Sequence, residues 1–99
     1  MSVMMLRPKV KAESVAEVEA AVRSMFSAIE KAQPRGVRYA SCRLSDGVTF
    51  AIFLELDEGI ENPLPSVPEF RAFQEGLKNW LAEPPAPEQL TVIGSYNLF

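Results

Sequence analysis

In two segments of this chain, apolar residues recur every three or four positions. The first stripe comprises Val15, Val18, Val22, Met25, Phe26 and Ile29. The second comprises Phe70, Phe73, Leu77, Trp80 and Leu81. This spacing places apolar side chains on one face of a helix, so the pattern predicts two amphipathic helices.

Local signals suggest where each helix starts and stops. Ser14 and Ser66 each stand three residues before a glutamate, which is the spacing of a capping box. Pro68 suits the first turn of a helix, where its missing N–H costs nothing. We therefore expect the helices to begin at the two serines and to end before Pro34 and Pro84.

Four further runs have the composition of strands, at residues 3–10, 37–44, 48–56 and 90–99. Alternation is clearest in the third run, where every second residue is apolar: Val48, Phe50, Ile52, Leu54 and Leu56. The first run contains Pro8, which cannot donate a hydrogen bond to a neighbouring strand. Regular pairing therefore either ends near Arg7 or passes Pro8 with a bulge.

Asp46-Gly47 lies between the second and third runs and indicates a β-hairpin. A two-residue turn would place Arg38 opposite Glu55, where the two charges could pair. A three-residue turn over residues 45–47 would shift the register by one residue and break that pair. The sequence leaves both registers open.

The order strand, helix, strand, strand, helix, strand predicts a single α+β domain over residues 1–99. This is the ferredoxin-like βαββαβ arrangement, a four-stranded antiparallel sheet with both helices on one face. The first and third strands would then be central. The other face would expose Ala51, Phe53, Ile93 and one of Met4 and Met5. An apolar face of this kind favours a homodimer over a monomer with a merely mixed surface.

The composition argues against several classes of function. The net charge of −3 gives no electrostatic footprint for nucleic acid. The apolar runs are too short to span a membrane, and we see no signal peptide. The single cysteine cannot form an internal disulfide, so a cytoplasmic location is expected. The absence of histidine removes the usual general base and the usual haem or zinc ligand. We therefore expect no metal and no other cofactor.

The chain resembles the dimeric α/β-barrel superfamily in three features. These are the order of its elements, residues 68–74 (Pro-Glu-Phe-Arg-Ala-Phe-Gln) and residues 90–96 (Leu-Thr-Val-Ile-Gly-Ser-Tyr). Within that superfamily the chain resembles the antibiotic-biosynthesis-monooxygenase-like group of small proteins. The resemblance implies a homodimer whose two sheets close into a barrel, with a pocket in each subunit between the sheet and the helices. The group includes cofactor-free oxygenases acting on electron-rich phenols, haem-degrading monooxygenases and isomerases. This chain departs from the haem-degrading branch, since it lacks a histidine and the asparagine on the first strand.

Four residues are candidates for ligand binding, and each has a structural alternative. The resemblance implies that a tryptophan on the second helix, here Trp80, lines the pocket, although its spacing from Phe73 and Leu77 equally suits core packing. Phe73 is a further candidate on the same helix. Tyr39 could orient a phenolic ligand, or place its ring in an apolar layer with the hydroxyl at the rim. Asn97 could position a carbonyl group or hydrogen-bond across a dimer seam. No catalytic residue can be assigned.

Three further expectations concern the rest of the chain. Cys42 is expected to be a small buried residue. The acidic loop at residues 57–65 is expected to be solvated. Leu98 and Phe99 would face opposite sides of the last strand, so that one of them contacts the partner subunit.

Two functions fit these observations. The first is a dimeric barrel protein that binds an apolar or aromatic small molecule between sheet and helices and acts as a cofactor-independent monooxygenase-like enzyme. The alternative is a non-catalytic ligand-binding or accessory dimer. A pocket with convergent polar groups would favour ligand binding, whereas a space filled by Met25, Phe73 and Trp80 would not.

Overall fold

The predicted order of helices and strands is present in the computed structural model, which describes residues 2–98. Its elements are β1 (Ser2–Leu6), β2 (Lys9–Val10), α1 (Val15–Ala32), β3 (Val37–Arg43), β4 (Phe50–Leu56), α2 (Pro68–Trp80), β5 (Leu81–Glu83) and β6 (Glu88–Leu90). The main sheet is antiparallel with the order β3-β4-β1-β6, so β1 and β4 are central as predicted. Strands β2 and β5 form a separate two-stranded sheet. The α+β ferredoxin-like fold is confirmed.

The first predicted strand is interrupted at Pro8. Strand β1 ends at Leu6. Beyond Pro8, Lys9 still forms an isolated bridge with Thr49, in the register of the β1–β4 pair, and Lys9–Val10 also pairs with β5. Because proline has no N–H, only its carbonyl remains available, and that oxygen accepts a hydrogen bond from the Phe50 N–H at 2.9 Å. Regular strand pairing therefore ends near Arg7, which is one of the two predicted alternatives, although the chain stays beside the same neighbour past Pro8.

The β3–β4 hairpin has the register that pairs Arg38 with Glu55. Its turn spans residues 45–48 and is closed by a 2.8 Å hydrogen bond from the Leu44 N–H to the Thr49 carbonyl. This four-residue turn adds one residue to each side of a two-residue turn at Asp46-Gly47, so the pairing of the two strands is the one predicted for the shorter turn. The Asp46 carboxylate accepts hydrogen bonds from the N–H groups of Val48 and Thr49 and from the Thr49 hydroxyl. The Thr49 hydroxyl is the main reason that the pKa of Asp46 is lowered.

Neither predicted capping box forms. The backbone of Ser14 is helical rather than extended, and its side chain caps nothing. A short 3-10 turn at Ala12–Ser14 leads directly into α1. The Ser66 hydroxyl donates to the Pro63 carbonyl at 2.7 Å within a second 3-10 turn, so α2 begins one residue later, after Val67. In both places the serine predicted as the N-cap belongs to the 3-10 turn before the helix and does not cap the helix.

The prediction of a last strand over residues 90–99 is mostly wrong. Helix α2 ends at Trp80, and within residues 2–98 the only strand of the main sheet beyond it is Glu88–Leu90. Residues 91–98, the C-terminal segment, are exposed and not in a strand. Leu90 pairs with Val3 near the start of β1, so a longer β6 would run past its neighbour. Phe99 lies outside the described residues.

The core lies between the main sheet and the two helices. Alternation in β4 buries the predicted face, since Phe50, Ile52 and Leu54 all belong to the core. The helices contribute mainly Val18, Met25, Phe70 and Phe73. None of the helices within residues 2–98 has both the length and the apolar character needed to cross a membrane.

The opposite side of the main sheet, which we call the open face, differs partly from the expectation. Met4 packs against the core, so alternation directs Met5 to the open face beside Phe53. Ile93, which was expected there, is instead 99% exposed in the C-terminal segment. The open face is therefore apolar but lacks the contribution predicted from the last strand.

A buried carboxylate also lies on the open face. Glu55 is fully buried, and its Oε1 accepts a hydrogen bond from Arg38. Glu55 raises the pKa of Arg38, first through this hydrogen bond and then through its charge. Within residues 2–98, the Glu55 Oε2 has no hydrogen-bond partner. Arg38 is therefore the principal compensation for a charge that has been removed from water.

We predict that Arg38→Met lowers the free energy of unfolding, because it leaves the Glu55 carboxylate buried without its cation. The matched control is Arg43→Met on the same strand, which breaks the half-exposed pair with Glu19 and should cost only about 0.2–1 kcal/mol. Urea unfolding of both variants measures the difference. Adding Glu55→Leu to Arg38→Met should recover part of the loss. Equal unfolding midpoints for the two single variants would contradict the prediction.

Candidate ligand-binding pocket

A cavity of about 100 Å³ lies between the main sheet and α2. We call it the sheet–helix pocket. Its lining comes from β1, β3, β4, α2 and the loop before α2, and is apolar except for Tyr39, Asn62 and Gln74. Two of the four candidate residues, Tyr39 and Phe73, line this pocket.

Helical spacing places three apolar side chains of α2 in the sheet–helix pocket. Phe70, Phe73 and Leu77 are separated by three and four residues, so they share the helix face directed at the sheet. Phe70 and Phe73 are buried, and Leu77 is partly buried. The pocket is therefore a small gap in the same layer that forms the core.

Tyr39 extends from β3 into an aromatic cluster. Its ring stacks on Phe26 with centroids 5.3 Å apart and meets the edge of Phe70 at 5.9 Å. Burial raises the pKa of Tyr39 to about 12, because the phenolate would lose its hydration. The side chain is therefore a neutral phenol at neutral pH, able to donate or accept a hydrogen bond.

Two neutral amides complete the lining. The Asn62 Oδ1 accepts a hydrogen bond from the Leu64 N–H at 3.0 Å, which fixes the side chain at the start of a turn. The Asn62 Nδ2 has no partner in the described part of the chain, so it remains available as a donor. Gln74 is exposed. The pattern of apolar stripes gave no reason to select either residue, although Asn62-Pro63 is a recognisable turn signal.

Trp80 lies next to the pocket rather than in it. Its ring packs against Phe73 with centroids 6.3 Å apart, and its Nε1 donates to the Glu17 Oε2 at 3.0 Å. A side chain on Gly76 would place Cβ only 2.4 Å from the indole, so the ring packs directly against Gly76 of α2. Trp80 therefore packs partly against the core and joins α2 to α1.

Asn97 is not brought to the pocket. It lies in the exposed C-terminal segment with a left-handed φ of 60°, which asparagine adopts more readily than most residues. Cys42 is exposed, contrary to the expectation. It lies opposite Ala51 on an edge strand, and the open face leaves it uncovered.

The acidic loop at residues 57–65 contributes one polar group to the pocket, through Asn62. Its carboxylates, Asp57, Glu58 and Glu61, are exposed as expected. Within residues 2–98, no group of three or more Cys, Asp or Glu side chains is arranged to hold a metal ion.

A larger cavity, of about 530 Å³, lies on the open face. Ala40, Cys42 and Phe53 form its floor, Arg38 and Tyr39 also line it, and Leu98 lines it from the C-terminal segment. Leu98 shows that this segment folds back across the open face. The cavity therefore lies on the surface at which the sequence predicts a second subunit, whereas the sheet–helix pocket is built within one chain.

We predict that the Tyr39 phenol ionises at a pKa of about 12, measured from tyrosinate absorbance in a Tyr96→Phe variant. An unfolded tyrosine ionises near pH 10, so the unfolded chain releases this proton first. The free energy of unfolding should therefore fall by about 2–3 kcal/mol as pH rises between these values.

The control for the titration is Tyr39→Phe, whose unfolding free energy should lose this part of its pH dependence. Urea unfolding at both ends of the range measures it. Tyrosinate formation near pH 10 in the folded protein would show that Tyr39 is solvated.

Comparison with known proteins gives a fold but not an activity. Neither a protein-family model nor a curated protein matches the chain in sequence. An antibiotic biosynthesis monooxygenase-like protein from Nitrosomonas europaea is similar in structure, with a TM-score of 0.74 and 15% identity over 95% of this chain and 100% of that one. A corresponding protein from Caulobacter crescentus has a TM-score of 0.73 and 20% identity, covering 94% of this chain and 90% of its own.

SnoaB, a cofactor-independent oxygenase from Streptomyces nogalater, is also similar in structure. Its TM-score is 0.69 and its identity 15%, over 97% of this chain and 96% of its own. At such identities structural similarity establishes the architecture rather than the chemistry. The chain therefore has the ferredoxin-like fold of the antibiotic biosynthesis monooxygenase-like proteins.

Proposed function

We propose that this protein binds an apolar or aromatic small molecule in the sheet–helix pocket and acts as a cofactor-independent monooxygenase-like enzyme. The observation that carries the proposal is the pocket itself, an apolar gap with a few neutral polar groups, on a fold that a cofactor-independent oxygenase shares. Sites of this composition are typical of small-molecule binding.

The proposed chemistry requires no resident oxidant other than dioxygen. Oxidation of a phenol to a quinone balances with one dioxygen molecule, because one oxygen atom enters the ring and the other leaves as water. The protein's part would be to hold the ring and to exclude water. The apolar side chains of α2 and the sheet suit that role, and the neutral phenol of Tyr39 could hydrogen-bond the substrate oxygen.

One observation favours the alternative of a non-catalytic ligand-binding or accessory protein. The described lining of the pocket contains no carboxylate, amine or thiol that could take the proton of a substrate at neutral pH. An enzyme using this pocket would depend on a substrate that ionises or reacts with dioxygen unaided. The two functions therefore differ in turnover and not in binding.

We further propose that the protein is a homodimer that associates through its open face. Met5, Ala51 and Phe53 are only partly buried there, and the C-terminal segment adds exposed Tyr96 and Leu98. Covering apolar surface of this kind with a second copy would remove it from water.

We predict that aerated protein with phenol consumes dioxygen above the protein-free rate, followed with an oxygen electrode. Leu77→Trp should abolish the excess because it fills the pocket, whereas Leu44→Trp, at an exposed position, should not. Circular dichroism confirms that both variants fold. Binding without excess oxygen uptake would support the accessory protein and contradict the enzyme.

We predict a homodimer at micromolar concentration in sedimentation experiments. Ala40→Glu introduces a charge on the open face, where it is tolerated in a monomer but opposes pairing, so it should shift the protein towards an 11.0 kDa species. Ala72→Glu, at an exposed position on α2, is the matched control. A parent protein that sediments only as a monomer contradicts the dimer.

A further inference from the structure

We propose that the sheet–helix pocket selects neutral molecules no larger than a single six-membered ring with one small polar substituent. This inference rests on the proposed function, since it specifies which ligands the same pocket would take. It follows from three properties of the pocket: its volume, the charge of its lining and the placement of its amides.

Volume sets the upper limit on the ligand. The pocket measures about 100 Å³, whereas an apolar protein cavity of about 150 Å³ holds benzene, and pockets for drug-sized ligands measure roughly 300–1,000 Å³. One small ring therefore fits after a slight outward movement of the lining. Two fused rings would require a core side chain to leave its position.

The side chains that limit the volume belong to the core. Phe70 and Phe73 are almost completely buried between the sheet and α2, and Phe73 is backed by Trp80. Trp80 is itself held by Glu17 of α1. Phe73 cannot move away without disturbing this contact between the helices, so the size limit is resistant to induced fit. Leu77 is only partly buried, so it can be shortened with less effect on the core than Phe70 or Phe73.

Charge sets the second limit. Among the described residues that line the pocket, none carries an ionised side chain at neutral pH, since Tyr39 ionises only at about 12. A charged ligand would lose its hydration without gaining a partner of opposite charge. A carboxylate or an ammonium group on the ring should therefore weaken binding strongly.

The amides determine where a polar substituent is tolerated. The Asn62 Nδ2 is an available donor, whereas the Oδ1 is held by the Leu64 N–H. A hydroxyl or carbonyl oxygen placed beside Asn62 would gain a hydrogen bond, and the ring would lie among the apolar side chains. The preferred ligand is thus a small neutral phenol or a cyclic ketone.

The test compares four probes on the full chain at neutral pH: phenol, benzoate, benzylamine and 2-naphthol. Binding is followed by NMR titration, with the side-chain amide signal of Asn62 and the indole signal of Trp80 as reporters. We expect phenol to shift both signals. The two charged probes and 2-naphthol should bind at least about tenfold more weakly.

Two variants separate pocket size from general stability. Leu77→Ala enlarges the pocket and should strengthen 2-naphthol binding by at least about tenfold, a difference of about 1.4 kcal/mol. Val18→Ala shortens a buried side chain of α1 that does not line the pocket. It should leave the order of affinities unchanged.

The outcomes distinguish the two proposals. If benzoate, benzylamine or 2-naphthol binds the parent protein as tightly as phenol does, the selection is wrong while the pocket remains a ligand site. If none of the four probes shifts the reporter signals, the selection and the proposed function both fail.

Discussion

The register of the β3–β4 hairpin is the constraint on which the rest of the structure depends. Side chains alternate between the faces of a strand, so a slip of one residue would exchange the core and open faces of β3 relative to β4. The observed register directs Tyr39 towards the helices and Arg38 to the open face, where it meets Glu55. The turn stabilises this register, because the Asp46 carboxylate accepts hydrogen bonds from the N–H groups of Val48 and Thr49, just before β4 begins. The pocket and the buried ion pair are thus two consequences of one pairing.

Helix α2 faces two competing demands. Its apolar stripe must fill the space above the sheet, yet a ligand needs part of that space to remain free. Packing prevails in most of the layer, since Phe70 and Phe73 are buried and Trp80 links the two helices. The gap that remains is small, and the described residues that line it carry no charge. The stability of the core and the selectivity of the proposed site therefore depend on the same side chains, and a change that enlarges the site also weakens the core.

The open face shows how an antiparallel sheet with helices on one side leaves apolar surface to be covered. The C-terminal segment covers part of it, as the position of Leu98 shows. It does so without strand pairing and leaves the side chains of Ile93 and Tyr96 exposed. The chain therefore buries the charged Glu55 on the open face while it leaves the apolar side chains of the C-terminal segment in water. Exposed apolar surface beside the open face is the physical basis for proposing a partner there.

The sequence by itself determined the features that depend on local periodicity and on the chemistry of single residues. The two helices, the hairpin, the central position of β1 and β4 and the break at Pro8 all follow from spacing or from a missing N–H. Tertiary structure decided the features that depend on which segments meet. The last strand is short because its pairing with β1 stops at Leu90, opposite Val3. The serine caps give way to preceding turns, and Cys42 is exposed because its strand is at an edge. The pocket belongs to the second class, since Tyr39, Asn62 and Phe73 are distant in sequence and only the packing of α2 on the sheet brings them together.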